Sequence, residues 1–157
     1  MSRQTWDETW RLVARAMAGR SKCTNRRVGA VVVDASNRPV AVGYNGPPAD
    51  MQYEELTGTC SDFCDRSGST SRGISYANCV AVHAEANALL FADRTAYRGG
   101  TIYITNPCCW ECTKLIANSG LRRVVFEVSN VDAHAEWRTH VEFLIECSIE
   151  VSIVEGE

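Results

Sequence analysis

His83-Ala84-Glu85 and the later Cys109-Trp110-Glu111-Cys112 place the tightest constraint on how this chain can fold. Two cysteines separated by two residues can reach one metal from a single turn, and an imidazole completes a three-ligand zinc site whose fourth position stays open. His83, Cys109 and Cys112 supply that set, so the segments carrying them must meet in the folded chain. Zinc in such a site draws the pKa of a coordinated water down to about 7, and a proton carrier is then needed beside it. Glu85, two residues from the ligand, is placed for that work without itself coordinating. Both ligand groups open predicted helices, over 82–91 and 110–119, whose positive dipole ends favour thiolates and hydroxide.

Either motif alone is commonplace: a Cys-x-x-Cys is often a zinc knuckle or redox pair, and a His-Ala-Glu on a helix usually decorates a surface. In this order they match the His-x-Glu, Cys-x-x-Cys pattern of zinc enzymes that deaminate nucleobases. Further segments extend the match: Ser21-Lys22-Cys23 leading into the apolar run 28–33, Gly43-Tyr44-Asn45-Gly46-Pro47-Pro48, residues 81–88 and residues 101–105. On these the chain resembles the deoxycytidylate (dCMP) deaminase branch of the cytidine deaminase superfamily over most of its length. The resemblance implies a cytidine-deaminase-like three-layer α/β/α sandwich around a mixed five-strand sheet. It also implies hydrolytic conversion of dCMP to dUMP and ammonia, supplying dTMP synthesis.

Two departures qualify that likeness. The family places proline directly before its first zinc cysteine, whereas here Pro107 sits one residue early and Cys108 fills the place. Cys108 has Glu111 three positions on and Cys109 has Cys112, so only the second pair supplies two thiols; Cys108 is left as a bystander or as a competing, oxidisable thiol. After the fourth strand the family often has a tyrosine that closes on the phosphate. Here the stretch reads Ser129-Asn130-Val131-Asp132-Ala133-His134, so Asn130 takes that role by hydrogen bonding or the pocket accepts another nucleotide.

Composition narrows the partners. The chain has 157 residues, 45% of them hydrophobic, and a formal charge of −3 with its Lys and Arg scattered in ones and twos. That balance argues against a nucleic-acid track, which needs a basic stripe, while a mononucleotide needs only one or two cations. The first twenty residues hold Arg3, Asp7, Glu8, Arg11, Arg15 and Arg20 and read as neither signal peptide nor membrane span, so a cytoplasmic location is expected. Eight cysteines are too small a fraction for a disulfide scaffold, and metal explains them better. Cys23, Cys60, Cys64 and Cys79 could form a closed four-thiolate zinc site; relatives often carry a second, structural zinc in this region. The alternative is small buried thiols with no metal.

The elements read in sequence as a helix over 6–17 capped by Thr5, a hairpin 28–33 and 39–43 turning at Asp34-Ala35-Ser36-Asn37, and the catalytic helix. A strand at 101–105, the helix 110–119, a strand at 124–128, a helix over 136–146 and a strand at 149–154 follow, with Gly120 as a helix stop. The whole chain, 1–157, is expected to be one domain with a zinc-stapled insertion at about 46–80, since a long Gly/Pro/Ser-rich stretch needs a staple or a function.

For substrate, Asn45 matches a superfamily asparagine that bonds sugar and base, and it reads equally as a left-handed turn residue. The Ala84 and Cys109 N–H groups are implied to hold the carbonyl and the attacking oxygen. In the loop 21–27, Arg26, with Lys22 and Arg27, is either the phosphate fork or solvated charge. Trp110 is a pocket wall or core, and Trp6, Trp10 and Phe91 are subunit contacts or, more in keeping with their type, core. The resemblance implies a homo-oligomer, a hexamer or dimer, activated by dCTP with Mg2+ and inhibited by dTTP near Tyr44 and Gly46, with Arg94, placed late on the catalytic helix, in a position tied to that switch. Other readings are deamination of 5-substituted dCMP, CMP, guanine or tRNA adenosine, or a non-catalytic two-zinc nucleotide-binding module, against which Glu85 speaks because a structural site needs no carboxylate.

Overall fold

The computed structural model describes residues 2–49, 79–129 and 136–156. In chain order it has α1 (Trp6–Ala18), β1 (Gly29–Val33), β2 (Pro39–Tyr44), α2 (Ala84–Leu90), α3 (Arg94–Tyr97), β3 (Thr101–Ile104), α4 (Trp110–Ser119), β4 (Arg123–Val128), α5 (Glu136–Glu146) and β5 (Glu150–Glu155). The strands form one mixed sheet in the order β2-β1-β3-β4-β5. β1 runs antiparallel to β2 and β3, whereas β3, β4 and β5 are parallel. Parallel neighbours need a crossover, and α4 and α5 supply the two here.

Alternation along the central strands sorts their side chains to two faces. Ala30, Val32, Ile102, Ile104, Val124 and Phe126 form one core with α2, α4 and α5, while Val31, Val33, Tyr103 and Val125 form another beneath Trp10 and Ala14 of α1. All of β1 is buried, as an unbroken apolar run covered on both faces should be. The expected three layers are thus present, with α1 the helix packed on the second face. A capping box of Thr5 and Glu8 starts that helix. Its position is fixed by polar ties at its flank: Arg123 donates two bonds to Asp7 (2.8 and 2.7 Å), Tyr103 donates one (2.9 Å), and Arg11 and Arg15 both reach the buried Glu127 at 3.0 Å.

Three expectations need correcting. The catalytic helix starts at Ala84, because Val82 exchanges backbone bonds with Gly46 (3.1 and 2.8 Å). That bridge brings the two ends of the long 46–80 stretch side by side. Arg94 is not on the catalytic helix but opens the short α3. Its Nε donates to the Ser119 carbonyl at the C-terminal end of α4, a helix whose other end carries Cys109. Trp10 is core, whereas Phe91 is 78% exposed and Trp6 is also exposed, stacked flat on Trp10.

Candidate active site

The metal-facing groups are delivered by two helix starts. His83 is the N-cap of α2 and Cys109 the N-cap of α4, both with extended backbone. α2 can lie close to the sheet because Gly43 of β2 faces it: a Cβ at that position would stand 2.2 Å from the Ala84 carbonyl oxygen and 2.6 Å from the Ala88 nitrogen. α4 follows β3 directly, with Ser119 and then Gly120, at φ 96°, closing its far end.

His83 Nδ1 lies 3.3 Å from Cys109 Sγ and 3.5 Å from Cys112 Sγ, and the three donor atoms are all within 4.8 Å of one another. One imidazole nitrogen and two thiols, facing a common point with no fourth His, Cys or carboxylate among the described residues, fit a zinc ion with one open position. Without metal the pair shares protons. The Cys109 thiol is pulled down to about 4 by the hydrogen bond from Cys112, with His83 adding to the pull. Cys112 moves up because it keeps the proton it donates, and the bond to Cys109 also raises His83. A divalent ion replaces those protons, which is the ordinary coupling of metal uptake to proton release.

Glu85 is in the first turn of α2 and only 4% exposed. Burial holds its carboxyl above the usual range, opposed by its own backbone N–H and the His83 charge. A carboxyl so placed can both take and return a proton. Ala84, whose N–H begins the helix beside it, is also buried. Cys108 is buried as well, and burial pushes its thiol well up, so it stays neutral.

Asn45 does not have the left-handed backbone that a turn role would require. Its Oδ1 accepts from the Val28 N–H (2.8 Å) and the Ser21 hydroxyl (2.6 Å), and its Nδ2 donates to the Arg26 carbonyl (2.8 Å). The amide therefore clasps the loop before β1 to the end of β2, with one N–H uncommitted among the described residues. Arg26 leans on Asn106, whose amide oxygen, turned toward the guanidinium, accepts from Nε at 2.7 Å. Arg26, Arg27, Thr105, Asn106 and Ser129 line a cleft of about 390 Å3 at the C-terminal ends of β3 and β4. Tyr44 gives its carbonyl to Asn87 Nδ2 (2.9 Å).

Trp110 is 43% exposed and packs on His140 and Phe143 of α5, so it is not core. Asn106 and His140 carry no local signal of a site role, since each acquires its place through a partner far along the chain, Arg26 and the Cys108 carbonyl; by residue type His140 reads as an exposed polar side chain. Cys23 and Cys79 are half-buried free thiols; Cys60, Cys64 and Asn130 lie outside the described residues.

Residues 4–128 match the family model for the cytidine and deoxycytidylate deaminase zinc-binding region. A deoxycytidylate deaminase of Mycobacterium phage D29 is 44% identical over 131 residues, 80% of this chain and 97% of that one. One from Schizosaccharomyces pombe is 37% identical over 135 residues, 84% of this chain but 40% of the yeast protein. In fold, the chain is similar to the dCMP deaminase of cyanophage S-TIM5 solved with dCMP and dUMP, with a TM-score of 0.70 at 22% identity, covering 98% of this chain and 100% of that one.

Proposed function

The chain belongs to the zinc-binding cytidine and deoxycytidylate deaminase family, and on that premise we propose that it hydrolyses a cytosine mononucleotide, dCMP before others, to dUMP and ammonia. The observation that carries this reading is the buried Glu85 carboxyl two residues from His83, whose Nδ1 faces both thiols. His83, Cys109 and Cys112 would hold the zinc, which when bound supplies an acidified water at neutral pH.

Glu85 takes a proton from the attacking water and delivers it to N3 of the ring; it then takes the remaining proton of the hydroxyl added at carbon 4 and passes it to the departing amino group. Water adds at carbon 4, the C–N bond breaks, and ammonia leaves a carbonyl behind. The N–H groups of Ala84 and Cys109 hold the base carbonyl and the attacking oxygen. Arg26 and Arg27, with Ser129 across the cleft, receive the phosphate; an arginine fork suits that anion. Asn45 works chiefly by clasping the Arg26 loop, with one N–H left for the sugar. Ammonia release from dCMP, CMP and deoxycytidine by zinc-loaded protein tests this: turnover of the monophosphates alone supports it, and equal turnover of the nucleoside removes the phosphate role.

Finer features extend the reading. The chain acts as a homo-oligomer, a hexamer or dimer, supported by the exposed Leu90 and Phe91 at the end of α2. It works in the cytoplasm; among the described residues no helix is long and apolar enough to cross a membrane. Gly46 is tied to Val82, next to His83, and Tyr44 to Asn87 on α2, so Mg2+–dCTP or dTTP bound there would act directly on the catalytic helix; sigmoidal dCMP kinetics made hyperbolic by Mg2+–dCTP is the expected signature. A second zinc on Cys23, Cys60, Cys64 and Cys79 staples the 46–80 insertion of a single domain. Elemental analysis should then give two zinc ions per chain, falling to one in Cys23→Ser; one per chain in the unmodified protein contradicts it.

A further inference from the structure

We propose that His140 is a positioning residue for the active site: from α5 it fixes the plane of the Cys108–Cys109 peptide and so aims the Cys109 N–H. The inference rests on the proposed function, in which that N–H holds the attacking oxygen. His140 Nδ1 lies 3.0 Å from the Cys108 carbonyl oxygen, a bond spanning 32 residues. A carbonyl oxygen only accepts, so Nδ1 carries the proton in either charge state of the ring. The Trp110 ring packs on the imidazole at 5.4 Å between centroids, and Phe143 meets the same indole edge-on at 5.0 Å, so the imidazole is braced from the side as well.

A peptide unit is planar, and in the trans form its C=O and N–H point opposite ways; no described bond is cis. Drawing the Cys108 carbonyl toward α5 therefore turns the Cys109 N–H away from it. The same bond polarises the peptide, which strengthens that N–H as a donor. At a group that must hold charge as it develops, direction counts as much as presence. His140 thus acts through the backbone and touches neither metal nor substrate.

Three substitutions separate this from simple packing. Asn Nδ2 stands as far from Cβ as imidazole Nδ1 does and can keep the bond; Gln and Ala cannot. His140→Ala and His140→Gln should lower kcat about tenfold, less than deleting such a donor outright, with KM for dCMP little changed and zinc content intact, while His140→Asn restores most of the rate. The Cys109 backbone 15N–H resonance should move in the Ala and Gln variants and return in the Asn variant. Wild-type kcat in His140→Ala with an unmoved Cys109 resonance overturns the proposal. So do three variants whose rates fall together in step with Tm. If the unmodified protein fails to turn over dCMP, the functional reading is what fails, and the Cys109 resonance still decides whether His140 sets that peptide.

Discussion

Cys109 and Cys112 differ in acidity: the hydrogen bond between them lowers the Cys109 thiol and raises that of Cys112. Serine in place of Cys112 removes the second soft donor and leaves His83 and Cys109 as a two-ligand site. Catalytic-zinc affinity in Cys112→Ser should fall by at least about 100-fold, since even outer partners of a zinc site are worth 10–100-fold; equilibrium competition with a chelator measures it, and unchanged affinity would show that Cys112 is not a ligand. The metal-facing residues were legible in the sequence because two short motifs carry them. The clasp made by Asn45 and the bond made by His140 were not, because the atoms they reach lie 17 to 32 residues away. For Asn45, residue type pointed to a turn or a ligand, and the fold spends most of its amide on a clasp.

Between elements, the close approach of α2 to β2 is what sets His83 and Glu85 over the end of the sheet. Gly43→Ala puts a methyl into the Ala84 carbonyl and the Ala88 nitrogen, both backbone atoms that cannot rotate aside. Overpacking of that kind costs about 1–3 kcal/mol, and because the displaced helix begins at the zinc ligand, kcat should fall beyond what the Tm loss explains. A chemical-denaturation curve with parallel kinetics checks both; an unaltered kcat would separate the helix position from the site. The helices at 110–119 and 136–146 emerged with the bounds expected from sequence, since each has an apolar face set off by a break. The start of α2 was misjudged by two residues because Val82 answers to a pairing with Gly46 that no helical periodicity reveals. α3 was missed altogether: its four residues are barely a turn, and Asp93, which caps it by accepting from Thr95, is its main local mark.

Across the whole molecule, the zinc-bearing face is built by α2, α4 and α5, while α1 covers the other, buried there through Trp10 and Ala14 and tied at its flank by ion pairs. The first hairpin and the later strand-helix-strand units followed from the alternation of apolar runs and helices; the placing of β1 beside β3 and the polar ties of α1 did not, because Ala30 meets Ile104, and Asp7 meets Arg123, only across long stretches of chain. Those ties carry a pH dependence. The hydrogen bonds from Arg123 hold the Asp7 carboxyl below the usual carboxylate range, with Tyr103 assisting. A carboxylate lowered by folding adds stability that is present above its unfolded pKa, near 3.9, and is lost as pH falls through the folded value. Asp7→Asn should therefore lower Tm at neutral pH, and the gap to the unmodified protein should narrow below about pH 3; a gap constant with pH would mean that the pair contributes no charge-dependent stability.

Ammonia release from dCMP by the zinc-loaded protein, run beside Glu85→Gln with zinc content measured in both, tests the central claim most directly. Glu85→Gln should keep its zinc and lose activity by at least about 10²-fold, the usual contribution of a general acid–base group. Absence of turnover on dCMP and CMP in unmodified protein with stoichiometric catalytic zinc, or an active Glu85→Gln enzyme, would contradict it.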